Sequence, residues 1–407
     1  MYMLLSSDDP VGDGAAGLDG GIAQLYAEWF ALHMSNFGFA WVWKEWVPDL
    51  ELPAHHPKRQ LMRRVVDFEI RLSYYDRVAK TLPPPMVDPE AGVIPAQAPG
   101  PTFAYENPDH PNFEDAKNLL DMIKGRSKSD EVAAHCARLA HSVPVQHMVM
   151  QSLLHVGSRS FSHFLNAVER YLPLLRGDAG PGSSEEKDKE KARAILLAAS
   201  EYWAQNGQMI GIVFDKLMQY QIVEPSDVIA FAFEGEGLSA ERWGHVEAAL
   251  NKANGRVVGA KRRVAALNKD EEDRRARVIA NAGGMGMDVD GDAQAVPAEP
   301  EMPTSQSLVN AQKALDALTK DQKKVFQSAV SGFVNALTKA GLPSLAPVGE
   351  WSQSQWSAWE CWGWYRQFCR AYVAQMRMFV DALVVERETE VGAMMVKTWE
   401  TTLGYEV

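Results

Sequence analysis

An uninterrupted series of short amphipathic helices between residues 195 and 267 constrains the fold of this chain most strongly. Apolar residues recur there at the three- and four-residue intervals of a helix, and no segment shows the two-residue alternation of a strand. The clearest apolar stripe consists of Met209, Ile210, Val213, Phe214 and Leu217. Pro225 and Ser239 are typical first and capping residues of two further helices. Helix, turn and helix in repetition predict an all-α fold, an α-solenoid of antiparallel hairpins.

Composition narrows the classes of function. Lys plus Arg total 41 and Asp plus Glu total 53, which gives a formal net charge of −12. Because nucleic-acid backbones are held by basic surfaces, this balance argues against a broad electrostatic grip on RNA or DNA. Three cysteines, Cys136, Cys361 and Cys369, are too few and odd in number for a disulfide framework. No apolar run approaches the length of a membrane span, so no membrane partner is expected.

The chain divides into two predicted helical domains. Residues 1–20 are poor in large apolar groups and are interpreted as a flexible leader, followed by a helical domain over 21–141 and a second one over 142–407. In the first domain the clearest helix spans about 58–80 and carries one apolar face, and the proline run that begins at Pro83 ends it. Its predicted buried face consists of Leu61, Val65, Phe68, Leu72 and Ala79.

A coiled coil is predicted as an insertion in the second domain, at about 246–326. Apolar residues on the outgoing arm alternate at spacings of four and three, which is the heptad seam of a coiled coil, and the same rhythm resumes after an interruption. The outgoing seam is Val246, Leu250, Ala253, Val257, Ala260, Val264 and Leu267, and the returning seam is Leu308, Ala311, Leu315, Leu318, Gln322 and Val325. Residues 281–306 are rich in Gly, Ala, Asp and Pro and are interpreted as a disordered tip between two antiparallel helices.

The outgoing arm is locally basic. Nine basic and four acidic residues lie between positions 252 and 277, and Lys261, Arg262 and Arg263 are consecutive. Such a patch is a candidate contact for RNA phosphates. A solvated coiled-coil flank is the alternative, and we favour it because charged residues commonly fill exposed coiled-coil positions.

No residue pattern indicates catalysis, a metal or a cofactor. His147, His155 and His163 are eight residues apart, a spacing that spreads side chains around a helix, and Gly157 is expected to break the helix between the last two. A metal site is therefore disfavoured, since zinc needs ligands that converge on one point. A nucleophilic dyad built on Cys136 stays open from the sequence, although no third orienting group supports it. No phosphate-binding, dinucleotide or nucleophile-elbow motif occurs.

Four aromatic residues alternate with smaller ones near the N-terminus: Phe37, Phe39, Trp41 and Trp43. This pattern is compatible with a strand or with a platform on which bases stack. A lone strand would have no partner for its backbone groups in an all-α chain. We favour an extended stretch that buries these rings between helices. The C-terminal stripe is likewise interpreted as core: Cys361, Tyr365, Phe368, Tyr372, Phe379 and Leu383.

Four strings in one order resemble the large subunit of the nuclear cap-binding complex. They are Phe37 to Trp43 followed by Trp46; Arg71-Leu72-Ser73-Tyr74 leading to Pro83-Pro84; Ser152-Leu153-Leu154-His155 followed by Ser160-Phe161-Ser162-His163; and Gln208-Met209-Ile210 with Asp215-Lys216-Leu217-Met218 and Gln221-Ile222-Val223. Each string alone is ordinary, and their common order carries the resemblance. It covers most of residues 30–340.

The resemblance implies MIF4G-like domains of the ARM/HEAT type with a projecting coiled coil, and a scaffolding role rather than an enzyme. It implies that the chain holds a small RRM subunit, that it reaches 7-methylguanosine-capped RNA indirectly through that subunit, and that it recruits mRNA splicing, export and decay factors. The candidate partner-binding residues are Arg71, Tyr74, Tyr75, Gln208, Lys216 and Gln221. A nuclear location with shuttling is expected. The family's first domain and its basic import segment are expected to be absent here. The alternative is a generic helical scaffold of translation initiation or mRNA decay without the cap-binding partner.

Overall fold

The computed structural model describes residues 20–54, 56–139, 144–176, 185–235, 237–283, 305–341, 351–379 and 388–404. These residues form helices and connecting turns, and no strand occurs among them. The α-helices are α1 Gly20–Ser35, α2 Pro57–Leu72, α3 Tyr75–Ala79, α4 Phe113–Lys124, α5 Ser129–Leu139, α6 Val145–Gly157, α7 Phe161–Arg170, α8 Leu172–Arg176, α9 Glu185–Tyr202, α10 Gly207–Gln219, α11 Pro225–Ala232, α12 Ala240–Gly283, α13 Gln306–Ala340, α14 Gln353–Ala371, α15 Val373–Met378 and α16 Glu390–Gly404. Short 3₁₀ helices occur at Trp43–Glu45, Val47–Glu51 and Pro84–Met86.

The helix starts predicted from local sequence are confirmed. Pro225 is the first residue of α11, and the backbone N–H of Glu224 donates to the Asp227 carboxylate at 2.8 Å. The Ser239 hydroxyl accepts from the backbone N–H of Arg242 at 3.3 Å and so caps α12. Free N–H groups at a helix start need acceptors, and these side chains supply them.

The first compact unit contains residues 1–249 and 328–407. Neighbouring helices pack as hairpins: α1 lies on α2, α6 contacts α4, α7 and α9, and α9 contacts α10 and α11. The first helix also packs on α14, which in turn contacts α16. The all-α, helical-repeat architecture predicted from the periodicity is confirmed, because the described residues form helices that pack on one another.

The second compact unit, residues 250–327, is the inserted antiparallel coiled coil. Gln322 donates to Asn254 at 2.6 Å, and the Glu271 carboxylate accepts from the backbone of Ser305. From Asn254 to Glu271 the outgoing arm advances by as many residues as the returning arm recedes from Gln322 to Ser305. The two helices therefore run antiparallel in one register. The seam residues Leu250, Ala253, Val257, Val264, Ala311, Gln322 and Val325 are buried. The predicted tip lies largely outside the described residues.

The helix predicted over about 58–80 is in fact two helices. Leu72 ends α2, Ser73 leaves helical geometry with φ −139° and ψ −112°, and α3 begins at Tyr75. Leu61 and Val65 are buried as predicted, whereas Leu72 is 49% exposed. The helix ends at Leu72, and this side chain is left without a covering helix. Periodicity alone does not predict such a break. The predicted stop at the proline run is confirmed by the 3₁₀ turn Pro84–Met86.

The aromatic stretch near the N-terminus is buried at every second ring rather than throughout. Phe39 and Trp43 are each 2% exposed, whereas Phe37 is 59% and Trp41 39% exposed. Phe39 has a φ of +63°, and its N–H donates to the carbonyl of Met34 at 2.9 Å, which closes the turn after α1. The prediction of four buried rings is therefore correct for two of them and wrong for two.

The C-terminal stripe is core, as predicted. Cys361, Tyr365, Phe368, Tyr372 and Phe379 are all buried, and the Tyr365 hydroxyl donates to the backbone carbonyl of Met395 at 3.0 Å. The last predicted member, Leu383, lies outside the described residues, as do residues 1–19 of the leader predicted over 1–20 and the proposed domain boundary at 141–142. Gly20, the last residue of the predicted leader, is the first residue of α1. The division into domains at that boundary stays a prediction.

Candidate functional site

An open groove of about 440 Å³ in the first unit collects side chains that are distant in sequence. We call it the α2–α10 groove. Its lining comes from α1, α2, α10 and the beginning of α12: Gln24, Glu28, Gln60, Arg63, Arg64, Asp67, Phe68, Arg71, Gly207, Gln208, Gly211, Ser239, Ala240, Glu241, Gly244 and His245. Arg63, Asp67 and Arg71 recur every four residues, a spacing that places them on one face of α2.

Arg71 is held in place by its own helix. Its guanidinium forms a 2.5 Å ion pair with Asp67 one turn earlier and lies 5.2 Å from the centre of the Phe68 ring. The Arg71 side chain nevertheless keeps 29% of its surface exposed. An arginine fixed in this way loses little conformational freedom when it binds, because its planar donors already point in one direction.

Gln208 enters the groove from the first turn of α10. The Asn206 side chain caps this helix by accepting from the backbone N–H of Met209 at 3.2 Å. This cap fixes the direction in which α10 starts, and the exposed Gln208 follows directly after Gly207. The structure thus brings Arg71 and Gln208, two of the predicted partner-binding residues, to the same groove.

The charges in the groove are mixed. The pKa of Glu241 is raised, first by desolvation of its carboxylate and then by the negative charge of Asp67. Burial, together with the nearby Arg242, lowers the pKa of His245 to about 4, so this imidazole is neutral near pH 7. The groove therefore offers arginine donors beside carboxylate acceptors, a combination that suits a polar protein surface better than a uniform polyanion.

The other predicted partner-binding residues lie elsewhere. Tyr74 is 61% exposed beside α3, and the Tyr75 hydroxyl donates to the carbonyl of Pro95 at 2.8 Å. Lys216 donates to Gln219 at 2.8 Å and lies 5.7 Å over the ring of Phe161. Gln221 follows α10 with a φ of +53° and is exposed. None of these four residues lines the α2–α10 groove, and their role in partner binding stays a prediction.

Three consecutive basic residues of the outgoing arm, Lys261, Arg262 and Arg263, are exposed on α12 within the second unit. They precede Val264, which is 8% exposed and belongs to the buried seam. This position agrees with a solvated flank and leaves their side chains accessible. Contact with RNA stays a prediction.

The three evenly spaced histidines have three separate environments. His147 is hydrogen-bonded to the Tyr105 hydroxyl at 2.8 Å and to the Glu201 carboxylate at 2.8 Å. His155 packs 4.7 Å from the Phe103 ring, and His163 is 2.6 Å from the Ser160 hydroxyl. Within the described ranges, no group of three or more His, Cys, Asp or Glu residues could hold a metal ion.

Gly157 separates the last two histidines as predicted, since it ends α6. The backbone of α7 approaches it so closely that a Cβ there would lie 2.6 Å from the Cα of Phe164. Glycine thus permits the tight contact between α6 and α7.

The cysteines are unsuited to nucleophilic chemistry. Cys136 is 5% exposed, and burial raises the pKa of its thiol to about 11. Burial likewise raises the pKa of Cys361 and of Cys369 to about 12. The thiolate is the reactive form, so these thiols are unreactive near neutral pH. In the part of the chain that the structure describes, no helix is both long and apolar enough to cross a bilayer.

Comparison with known families identifies the fold family. A protein-family model described as MIF4G like matches residues 103–377, which is more than half of the chain. The chain belongs to the MIF4G-like family. A second model with the same description matches residues 13–84, the segment that contains α1 and α2. The two matches together contain every helix that contributes to the α2–α10 groove.

Curated relatives carry the name nuclear cap-binding protein subunit 1. The rice relative (Oryza sativa subsp. japonica) is 26% identical over 361 residues, the fission yeast relative (Schizosaccharomyces pombe) 28% over 238 residues, and the Arabidopsis thaliana relative 28% over 255 residues. These matches cover 79%, 57% and 60% of this chain. The chain spans 40% of the rice protein's length and 29% of each of the other two. The resemblance to the large subunit of the nuclear cap-binding complex is confirmed.

The α12 side of the groove has no counterpart among the patterns of the sequence. Neither Glu241 nor His245 belongs to a motif that indicates a binding site. The spacing of Arg63, Asp67 and Arg71 was an available signal, because it predicts a charged face on α2. No spacing rule connects that face with α10 and α12, since the connection is made by the packing of sequence-distant helices.

Proposed function

We propose that this chain is the scaffold subunit of a nuclear cap-binding complex, in which it holds the small RRM subunit that binds the 7-methylguanosine cap. The observation that carries this proposal is the convergence of Arg71 and Gln208 on the α2–α10 groove. Both residues come from the strings that resemble the large subunit, and the curated relatives bear the corresponding name. The chain would act in the nucleus and recruit splicing, export and decay factors, with capped RNA reached through the small subunit.

The groove has the properties of a protein-docking surface. Arginine is frequent among the residues that dominate binding energy at interfaces, and Arg71 is pre-positioned by Asp67 and Phe68. A helical-repeat surface is already ordered, so it loses little conformational entropy when a folded partner docks. The described residues contain no sheet on which bases could stack, which supports an indirect role in cap recognition.

A substitution at Gly244 tests the groove as the docking site. Gly244 lines the groove, and a Cβ built there meets no heavy atom within 4 Å. Gly244→Phe should therefore fill the groove without disturbing the fold, and Gly244→Ala is the matched control. We expect calorimetric titration with the small RRM subunit to show about a tenfold or greater loss of affinity for Gly244→Phe. Gly244→Ala should bind like the original chain. Equal affinity for both variants would show that the small subunit docks outside this groove.

Cap recognition by the pair tests the function itself. In fluorescence-polarisation titrations at physiological salt, the chain alone should bind capped and uncapped oligonucleotides equally weakly, because weak phosphate contacts fade under screening. With the small subunit present, the pair should prefer capped RNA. Cap preference by the chain alone would contradict the scaffold role. No gain on adding the small subunit would favour the generic helical scaffold.

A further inference from the structure

A second, larger groove of the first unit is basic on a protein that is acidic as a whole. We call it the α4–α7 groove; its volume is about 1200 Å³. Its cations are Lys124 and Arg126 from the end of α4, Arg159 from the α6–α7 turn, and Arg170 from the end of α7. All four side chains are exposed. The formal net charge of the whole chain is −12, so this local excess of positive charge runs against the composition.

One of these cations occupies a backbone position that normally takes glycine. Arg126 has a φ of +60°. Its N–H donates to the carbonyl of Ile123 at 3.1 Å, and the N–H of Ser127 donates to that of Met122 at 3.0 Å. This pair of bonds is the Schellman ending of a helix, in which the left-handed residue is usually glycine because a Cβ is disfavoured there. The chain has its glycine one position earlier, at Gly125, and places an arginine in the disfavoured conformation. Strain retained in this way points to a function for the side chain.

The turn that carries Arg126 is fixed to the far side of the groove. The Tyr171 hydroxyl donates to the carbonyl of Ser127 at 2.9 Å, and Tyr171 is 1% exposed. Among the described lining residues Glu169 is the one carboxylate, and it accepts a hydrogen bond from the Tyr220 hydroxyl. The turn that carries Arg126 is thus anchored by a buried tyrosine, and the acidic neighbour already has a partner.

We propose that the α4–α7 groove binds a short acidic segment of a partner protein, with the guanidinium groups of Arg126 and Arg159 on its carboxylates. Arginine's planar donors match carboxylate geometry, and charge-assisted bonds of this kind are strong. The described lining offers no exposed Phe, Tyr or Trp ring on which a base could stack, since Tyr171 is buried. A nucleic acid would also extend its phosphates beyond the groove, where the protein, which is acidic as a whole, would repel them. These two facts favour a peptide over RNA.

The test uses the 407-residue chain and three fluorescein-labelled probes in anisotropy titrations at 150 mM salt, a concentration chosen to screen distant charges. The probes are a peptide of alternating Glu and Ser, the same peptide with Gln for Glu, and an oligouridylate of equal charge. We expect the acidic peptide to bind at least about tenfold more tightly than the neutral one. Tighter binding of the oligouridylate, lost on reversal of the groove charges, would overturn the peptide assignment and make this an RNA site.

Two variants separate the groove from general electrostatics. The double reversal Arg126→Glu with Arg159→Glu should weaken acidic-peptide binding about tenfold or more. The control Lys44→Glu with Lys80→Glu makes the same change in net charge at exposed positions outside the groove and should stay within about twofold. Equal losses in both double variants, or no preference for the acidic over the neutral peptide, would overturn the proposal.

Arg126→Gly distinguishes binding from a structural role. Glycine suits the left-handed turn, so this variant should melt at the same or a higher temperature than the original chain while it binds the acidic peptide more weakly. Unchanged affinity together with a higher melting temperature would remove Arg126 from the site. Because no small RRM subunit takes part in these titrations, their outcome is independent of the function proposed above.

Discussion

The guanidinium of Arg64 and the carboxylate of Glu360 form a 2.9 Å ion pair between positions that are 296 residues apart in sequence. The same carboxylate oxygen accepts from the backbone N–H of Ala240 at 3.1 Å, at the start of α12. Arg64 also lies 5.5 Å from the centre of the Trp364 ring. One carboxylate of the C-terminal helix α14 thus connects α2 with α12. Both of these helices line the α2–α10 groove.

Removal of that carboxylate should destabilise the first unit strongly. Glu360→Ala leaves the guanidinium of Arg64, which is 15% exposed, without its counter-charge. Loss of one partner of a buried pair costs about 3–5 kcal/mol. Urea unfolding of this variant should therefore show a loss of that size. Glu234→Ala, which breaks the exposed 2.8 Å pair with Arg193, is the control and should cost less than about 1 kcal/mol. Similar costs for the two variants would contradict the account.

Glu69 should make the stability of the protein depend on pH. This residue is fully buried, both of its carboxylate oxygens lack a hydrogen-bond partner, and burial raises its pKa from 4.5 to about 8. Between these two values the folded state binds the proton and the unfolded state releases it. The free energy of unfolding should therefore fall as the pH rises from about 4.5 to 8, with a slope of up to about 1.4 kcal/mol per pH unit.

Glu69→Gln should remove this contribution, so its urea unfolding free energy should decline less than that of the original chain over the same range. Glu51→Gln, at an exposed position, should retain the original pH dependence. A Glu69→Gln profile parallel to that of the original chain would mean that the buried carboxylate does not titrate in this range.

The polar pair in the coiled coil should cost stability. Gln322 is 4% exposed within an otherwise apolar seam, donates to Asn254, and leaves its own side-chain oxygen without a partner. A polar residue in such a seam fixes the register at the expense of stability. Gln322→Leu should slow amide hydrogen exchange in both arms of the second unit. Gln312→Leu, at an exposed position on the same helix, should leave exchange unchanged. Faster exchange in Gln322→Leu would mean that the hydrogen bond stabilises the pair on balance.

Phe214 should be a core residue with a large truncation cost. Its ring is 2% exposed and lies 5.0 Å from the His245 ring and 5.9 Å from the Phe231 ring. Phe214→Ala should lower the free energy of unfolding by about 3–5 kcal/mol, the transfer and cavity cost for a buried phenylalanine. Phe37→Ala is the control, because Phe37 is 59% exposed, and it should cost less than about 1 kcal/mol. Denaturant titrations of both variants measure the difference.

Local sequence determined several helix ends, although it did not predict the break at Ser73. Pro225 and Ser239 mark helix starts and Gly157 marks a helix end because capping depends largely on nearby residues. The heptad seam determined the coiled coil for the same reason. The ordered strings around Arg71 and Gln208 carried the family resemblance, since order along a chain is itself a property of the sequence.

The tertiary structure decided which faces are covered and which distant residues meet. Leu72 lies on the predicted apolar stripe, yet it is exposed because α2 ends there. The contact between Arg64 and Glu360 and the meeting of Arg71 with Gln208 depend on how helices from remote segments pack. Helical periodicity identifies the face of a helix that seeks a partner, but it carries no information about which helix will supply one. The grooves arise from that choice of partners, and so only the folded chain reveals them.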